Sequence, residues 1–113
     1  MSTRNEPTPS GQPRDCPIAD ALGLIGDRWS LLIVRELFLE NPRFSAIRVN
    51  TGAPREILTA RLRKLEAEGI IARRRYSERP PRDEYVLTAA GRELGPVIAA
   101  LYSWGERHAR VGR

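Results

Sequence analysis

The 113-residue sequence predicts a mainly α-helical fold with one small β-hairpin, and three observations support this prediction. Residues 43–87 show a short helical pattern, a glycine-containing turn, a longer amphipathic helix and two β-type runs joined by a loop. This is the element order of a winged helix-turn-helix. Residues 41–82 hold 11 Lys and Arg against four Asp and Glu, a local charge of +7, whereas the whole chain carries +5. Finally, the last predicted helix has a long apolar face.

Composition narrows the class of protein. With 41% hydrophobic and 29% charged residues, the chain has room for one globular domain with a modest core. The single cysteine excludes an internal disulfide and a Cys-rich zinc site. No apolar run approaches the ~20 residues of a membrane span, and no signal peptide is evident, so we expect a cytoplasmic protein without membrane contact. All 19 basic residues except Lys64 are arginine, which suits DNA, although genome composition would also explain this bias.

The chain divides into a tail, a domain and a second tail. Residues 1–15 are polar, contain three prolines and lack a periodic apolar face, so we expect a disordered N-terminal tail. The domain covers residues 16–108, and residues 109–113 form a basic C-terminal tail. Pro17 opens the first helix, with Asp15 or Cys16 near its cap, and Gly26 ends it. Asp27 caps the second helix, which stops at residues 40–42.

The helix-turn-helix follows. Phe44 and Ile47 mark the apolar side of a short helix, residues 50–52 form the turn, and Pro54 stands at the start of the longer helix. Glycine at position 69 ends that helix. Its buried stripe is formed by three leucines at helical spacing: Leu58, Leu62 and Leu65.

The candidates for base contact lie at the surface of the longer helix. Its opposite face holds Glu56, Thr59, Ala60 and Arg63, and Arg55 reaches forward from the first turn. The N-terminal half of the second helix of such a motif enters the major groove of DNA. The predicted DNA-binding residues of this helix are Arg55, Glu56, Thr59 and Arg63. A charged face of this kind is also common on helices that only meet solvent.

The β-hairpin is predicted from strands at residues 70–76 and 83–87, with residues 77–82 as its tip. Two prolines stiffen the tip, which suits a wing lying along a phosphate backbone or in the minor groove. The alternative is an ordinary hairpin edge that arginine keeps soluble. The residues predicted to contact the DNA backbone are Arg43, Arg73, Arg75, Arg79 and Arg82.

The last helix is predicted to start after Thr88, to bend at Gly95 and Pro96, and to reach about His108. Its apolar face is long for a domain whose small core is already filled. The face packs either on its own domain or on a partner. We favour a dimer helix, because two-fold DNA-binding proteins need one. The face comprises Leu94, Val97, Ile98, Leu101 and Trp104.

Taken together, the motifs of residues 16–105 resemble the HxlR-type winged-helix transcription regulators of bacteria. The matching pieces are Cys16, Gly26-x-x-Trp29, Arg43-Phe44, Gly52, Leu58-Thr59-x-Arg61-Leu62-x-x-Leu65-Glu66, Gly69-Ile70-Ile71-x-Arg73, Tyr85-x-Leu87-Thr88-x-x-Gly91, Leu94 and Trp104. Two positions depart from the family pattern. Pro54 stands where members usually have a serine, and Ala46 replaces a glutamate, which leaves the base contacts open.

The resemblance implies a homodimer whose first and last helices form the interface. Ile18 and Leu22 of the first helix join the interface on this ground. The resemblance also implies two recognition helices in successive major grooves and two wings on the flanks. We therefore expect a homodimeric repressor that binds specific double-stranded DNA, although activators and repressors look alike in sequence. The family implies no common operator and no common effector, so a small-molecule effector stays open.

Cys16 is a candidate redox switch, because some members of the family use a cysteine at this position as a thiol sensor for electrophiles or oxidants. A thiol at a helix N-terminus feels the positive end of the helix dipole, which favours the reactive thiolate, whereas the neighbouring Asp15 opposes it. A disulfide of this cysteine would join two chains. The alternative is a small buried apolar side chain.

Two other classes of function compete with a DNA-binding regulator. An enzyme is disfavoured, since the chain has one histidine, His108, no glycine-rich phosphate loop and no metal-spaced cluster. We therefore expect neither a cofactor nor a metal. The second class is a winged-helix protein-interaction module that never touches DNA, against which the concentrated positive charge argues.

Overall fold

The computed structural model describes residues 6–109, in which six helices and one antiparallel hairpin follow each other. The elements are α1 (Pro17–Ile25), α2 (Ser30–Phe38), α3 (Phe44–Thr51), α4 (Arg55–Ala67), β1 (Ile71–Glu78), β2 (Pro81–Leu87), α5 (Ala89–Arg92) and α6 (Gly95–His108). This order confirms the winged helix-turn-helix. Residues 6–15 form no helix or strand. The remainder of the two predicted tails, residues 1–5 and 110–113, lies outside the described residues.

The core is centred on α4. Leu58, Leu62 and Leu65 are fully or almost fully buried, as the apolar spacing predicted. They pack with a cluster contributed by α1, α2, α3 and the start of the hairpin. The other members of this cluster are Ile25, Ile33, Val34, Leu37, Ile47, Ala53, Ile70 and Ile71. Because these three leucines lie on one face of α4 and are buried together, the opposite face of this helix remains at the surface.

The connection from α1 to α2 is fixed by Asp27. Its carboxylate accepts hydrogen bonds from the backbone N–H groups of Trp29 and Ser30, at 2.8 and 2.9 Å, and from the Ser30 hydroxyl. Burial alone would raise the pKa of Asp27, but these hydrogen bonds and the nearby Arg61 outweigh it and lower the pKa. The predicted capping role of Asp27 is thereby confirmed, although Asp27 lies two residues before Trp29, the residue that flanks the helix.

A buried carboxylate that the sequence did not reveal joins α2 to α3. Glu36 is 2% exposed, and its oxygens accept hydrogen bonds from Arg35 Nε at 2.9 Å, Asn41 Nδ2 at 3.1 Å and Asn50 Nδ2 at 2.8 Å. Arg35 also donates to the carbonyl oxygen of Asn50 at 3.0 Å. Asn41 precedes α3 and Asn50 lies in its last turn. The cluster therefore fixes both ends of α3 against α2.

The turn and the hairpin tip are shorter than predicted. Asn50 and Thr51 still belong to α3, and the chain leaves the helix at Gly52, whose positive φ of 76° favours glycine. The two strands continue to Glu78 and from Pro81, so only residues 79–80 remain between them. The prediction ended the first strand too early and began the second too late, because it assigned both prolines to the loop. A proline at the first position of a strand is tolerated there.

The predicted single bent helix after the hairpin is wrong, because Glu93 and Leu94 separate α5 from α6 before the expected bend. Thr88 caps α5 as predicted, accepting a hydrogen bond from the backbone N–H of Gly91 at 3.1 Å. A side chain at Gly91 would place its Cβ 2.2 Å from the carbonyl oxygen of Ile70. This tight contact packs α5 against the start of the hairpin. The break at Glu93 and Leu94 comes just before Pro96, which lacks the N–H group that a continuous helix would use at this position.

We expect Glu36→Ala to lower the free energy of unfolding by about 1–3 kcal/mol, because the donors on Asn41 and Asn50 lose their acceptor. Urea unfolding at one fixed protein concentration measures the change. Glu93→Ala is the matched control: it removes an exposed carboxylate and should change stability by less than about 0.5 kcal/mol. Equal unfolding midpoints for the two variants would contradict the role given to Glu36.

Candidate nucleic-acid interface

The exposed arc of α4 carries the four residues that the sequence singled out on this helix. Arg55, Glu56 and Arg63 are exposed, and Thr59 is half-buried. The Thr59 hydroxyl donates to the carbonyl oxygen of Arg55 at 2.9 Å, so its lone pairs stay available as acceptors. The three residues Arg55, Thr59 and Arg63 follow each other at intervals of four, which brings them to one side of the helix.

Two arginine–aromatic stacks flank this helix. The guanidinium carbon of Arg55 lies 5.2 Å from the centre of the Phe44 ring, and that of Arg43 lies 4.2 Å from the centre of the Tyr76 ring. The neighbours Arg43 and Phe44 thus connect the start of α3 to the hairpin on one side and to α4 on the other. Stacking restricts a guanidinium to fewer orientations than a free side chain has.

The hairpin arginines in the middle of β1 are engaged by carboxylates. Arg73 Nε lies 3.2 Å from Glu66 Oε1, and the hydrogen bond to Glu66 raises the pKa of Arg73. Arg75 Nε donates to Asp83 Oδ1 at 2.7 Å. Both arginines point to the side of the ribbon that carries Asp83, as the predicted alternation requires. These two arginines, which were predicted to contact the DNA backbone, therefore have acidic partners within the chain.

A second group of arginines has no such partner. In the part of the chain that the structure describes, no acidic side chain lies within 4.0 Å of their nitrogens, and all are exposed. Two lie on α4, two beside the hairpin tip, and one on α3. The last of these, Arg48, was not singled out from the sequence because its helix is short. The group comprises Arg48, Arg55, Arg63, Arg79 and Arg82.

A polar cavity of about 390 Å³ opens between α4 and the hairpin. Thr59 and Arg63 line it from α4, Phe44 from α3, and Arg73 and Tyr85 from the hairpin. Burial raises the pKa of Tyr85, so its phenol remains protonated at neutral pH and can donate a hydrogen bond. Tyr85 is a second residue that the sequence analysis did not propose for the interface.

Two contacts join α4 to the N-terminal part of the domain. Lys64 Nζ donates to the carbonyl oxygen of Gly23 in α1 at 3.0 Å, and Arg61 Nε lies 3.2 Å from Asp27 Oδ1. These contacts join α4 to α1 and to the connection between α1 and α2. Lys64 and Gly23 are 41 residues apart in sequence, and no local pattern could have indicated either contact.

The predicted interface residues of α1 and α6 divide into two groups. Leu94 and Ile98 are half-buried and pack against the core of the chain. The others are exposed, from 40% for Val97 to 72% for Ile18. No residue of α6 is buried. The exposed apolar set, which we call the α1–α6 surface, comprises Ile18, Leu22, Val97, Leu101 and Trp104.

Cys16 flanks α1 at its N-terminus. Its Sγ atom accepts a hydrogen bond from the backbone N–H of Ala19 at 3.4 Å, and its side chain is half-buried. The predicted position at the helix cap is confirmed. Cys16 begins the same helix that carries the exposed Ile18 and Leu22, so it lies at the end of the α1 part of the α1–α6 surface.

Among the described residues, no helix combines the length and the apolar character that a membrane crossing requires.

The HxlR-like helix-turn-helix family model matches residues 24–112 of the sequence. The matched segment starts after Cys16 and contains α2, α3, α4, the hairpin and α6. An uncharacterized HTH-type transcriptional regulator of Mycobacterium tuberculosis is 45% identical over 91 residues. The alignment covers 80% of this chain but only 58% of that relative, so the chain spans well under two thirds of its length.

Solved structures agree with this match. The redox regulator HypR in its reduced form superposes with a TM-score of 0.77 at 34% identity, covering 85% of this chain and 96% of HypR. The reduced form of the transcriptional regulator YodB from Bacillus subtilis has a TM-score of 0.70 at 30% identity, covering 88% of this chain and all of YodB. The similarity therefore extends over nearly the whole fold.

Proposed function

The chain belongs to the HxlR-like helix-turn-helix family, and we propose that it is a sequence-specific transcription regulator that binds double-stranded DNA as a homodimer. The observation that carries this proposal is the distribution of the unpaired arginines. Within residues 41–82 they lie on α3, on the exposed side of α4 and beside the hairpin tip, whereas Arg73 and Arg75, between α4 and the tip, are paired with carboxylates. Unpaired guanidinium groups are the ones available to phosphates and base edges.

In this proposal α4 enters the major groove. Arg55 and Arg63 donate to base edges, with guanine as the preferred partner, and Thr59 contributes a lone pair or its methyl group. Glu56 accepts from a cytosine amino group or repels other bases. The Phe44 ring holds the Arg55 guanidinium near one orientation before DNA arrives, which reduces the entropy lost on binding.

The backbone contacts come from elements on both sides of α4. Arg79 and Arg82 reach phosphates from the hairpin, and Arg48 does so from α3, the helix that crosses the backbone in this motif. Arg73, Arg75 and Arg43 were predicted to do the same. Their carboxylate and aromatic partners make them supports of the hairpin first, and phosphate contacts only where a nitrogen remains free.

The homodimer forms through the α1–α6 surface. An apolar concavity of about 750 Å³ on α6 is lined by Pro96, Val97, Ala100, Leu101 and Trp104, and Ile18 and Leu22 extend the exposed apolar area on α1. A second copy covers such a patch with the same patch. Two α4 helices then face neighbouring major grooves, about 34–36 Å apart for successive turns. Such a dimer seated on a promoter acts as a repressor in the cytoplasm, where the chromosome lies.

A thiol switch at Cys16 is the second part of the proposal, and the similarity of the chain to the redox regulator HypR favours it. Two Cys16 thiols from two chains give two electrons and two protons to one hydrogen peroxide, so that a disulfide forms and the peroxide is reduced to two waters. A quinone alkylates the thiol instead. Either product shifts α1, and the Lys64–Gly23 contact carries this shift to α4.

We expect Arg55→Ala and Arg63→Ala to relax the choice of sequence, each removing about 1–3 kcal/mol of discrimination against the wrong base. Arg79→Ala and Arg82→Ala should weaken all duplexes alike. Each removes one phosphate contact per subunit and should therefore reduce the slope of log affinity against log salt by about 1.8 for the dimer. Fluorescence anisotropy with a specific and a scrambled duplex at several salt concentrations measures both effects.

The matched control for these four variants is Arg107→Ala, which removes an exposed arginine on α6 and should leave both quantities unchanged. Loss of specificity in the hairpin variants alone would reverse the assigned roles. A salt-independent affinity would favour the winged-helix protein-interaction module instead.

We expect the protein to be a dimer at micromolar concentration and Leu101→Asp to make it a monomer, because a charge would be buried in the apolar interface. Light scattering gives the molar mass. Val49→Asp, which changes an apolar residue that is 78% exposed on α3, should remain dimeric. The proposed interface would be wrong if the wild type were a monomer, or if Val49→Asp made the protein monomeric as Leu101→Asp does.

Treatment with hydrogen peroxide should lower the DNA affinity of the wild type at least fivefold, the lower end of usual coupling between two sites. The DNA affinity of Cys16→Ser should be the same before and after the treatment. Mass spectrometry under non-reducing conditions identifies the disulfide-linked dimer. If treated wild type binds as tightly as untreated protein, or if Cys16→Ser responds equally, Cys16 is not the sensor.

A further inference from the structure

A cavity of about 490 Å³ lies on the side of the hairpin away from α4, between the end of α2, strand β2 and α5. Its apolar walls come from Leu37 and Phe38 of α2 and from Val86 and Leu87 of β2. The volume is within the range of pockets that hold small organic molecules, roughly 300–1,000 Å³. None of the residues assigned to DNA contact on α4 lines it.

The polar groups of this cavity favour an anion. Arg92 lines it from α5 and is exposed, and its guanidinium makes no hydrogen bond or ion pair among residues 6–109. Arg74 lines it from β1 and donates from Nε and Nη2 to Glu84 Oε1, at 3.1 and 2.7 Å, so that Nη1 remains free. Glu40 is the one acidic side chain among the lining residues, and it opposes an anion from the rim.

We infer that this cavity binds a small effector with a flat apolar ring system and one carboxylate. The ring packs on Phe38, Val86 and Leu87, and the carboxylate accepts hydrogen bonds from the guanidinium of Arg92. A planar guanidinium matches a carboxylate with two parallel N–H donors, and the apolar wall excludes water from one side of that pair. A neutral or cationic ligand would leave Arg92 without a partner.

The position of the cavity suits regulation. Strand β2 is fixed to the loop after α2 by the hydrogen bond from the Tyr85 backbone N–H to the Pro42 carbonyl oxygen at 2.8 Å, and both residues line the cavity. Phe38 also contacts the start of α6, where a Cβ on Gly95 would lie 3.5 Å from its ring. A bound ring therefore pushes the hairpin and α6 apart, which changes the spacing of the two α4 helices in the dimer.

The regulatory effect rests on the proposed function, whereas binding of the effector does not. Isothermal titration calorimetry of the full chain without DNA tests binding, with 2-naphthoate as the probe and neutral 2-naphthamide as its matched control. We expect naphthoate to bind at least tenfold more tightly than the amide. Arg92→Gln should remove this preference, Glu40→Gln should tighten naphthoate binding, and Arg107→Gln should bind like the wild type.

Absence of naphthoate binding at millimolar concentration, equal affinity for acid and amide, or an Arg92→Gln variant with wild-type affinity would each overturn the inference. The same probes are then added to the complex with duplex DNA. Naphthoate that binds the free protein should change DNA affinity, and by linkage DNA should change naphthoate affinity by the same factor. Naphthoate binding without any DNA binding would overturn the proposed function and leave the cavity assignment standing.

Discussion

The burial of one face of α4 is the constraint on which the rest of the structure depends. Leu58, Leu62 and Leu65 fill the centre of the core, and each fully buried leucine contributes about 1.5–3 kcal/mol relative to an exposed one. Because a helix repeats every 3.6 residues, burying this stripe turns Arg63 outward, whereas Arg55 is exposed because it begins the first turn of the helix. The same packing that stabilises the domain therefore sets the direction of its basic face. A rotation of α4 about its axis would expose the leucines and turn the arginines away from the surface.

Around this helix, charge is used in two ways. The carboxylates of Glu66 and Asp83 hold the arginines of β1 in place, and exposed pairs of this kind add at most about 1 kcal/mol to stability. Their effect is instead geometric, because they fix side chains between α4 and the hairpin. Within residues 41–82, arginines without a carboxylate remain on α3, on α4 and beside the tip of the hairpin. The unpaired positive charge of this segment, whose net charge is +7, thus lies on these elements.

The sequence predicted those features that depend on local periodicity or on single special residues. The leucine stripe, Pro54 before α4 and the positive φ of Gly69 after it are of this kind. Long-range features could not be predicted. Glu36 lies in an apolar helix pattern, and its partners Asn41 and Asn50 are identified only by the fold. The break at Glu93 and Leu94 was likewise missed, because the apolar spacing continues through Leu94 and Ile98 across the two helices. Arg63 was found from the helix period and Arg55 from its place in the first turn, whereas the pairing of Arg73 and Arg75 with carboxylates required the folded hairpin.

The most direct test of the central claim, that α4 lies in the major groove of duplex DNA, is chemical interference on a duplex selected from a random pool. Guanine N7 faces the major groove, so methylation there blocks a side chain that binds this edge. The account predicts that N7 methylation prevents binding at guanines in two half-sites related by two-fold symmetry, one or two helical turns apart. Binding that tolerates N7 methylation throughout the site, and is blocked only by ethylated phosphates, would contradict it.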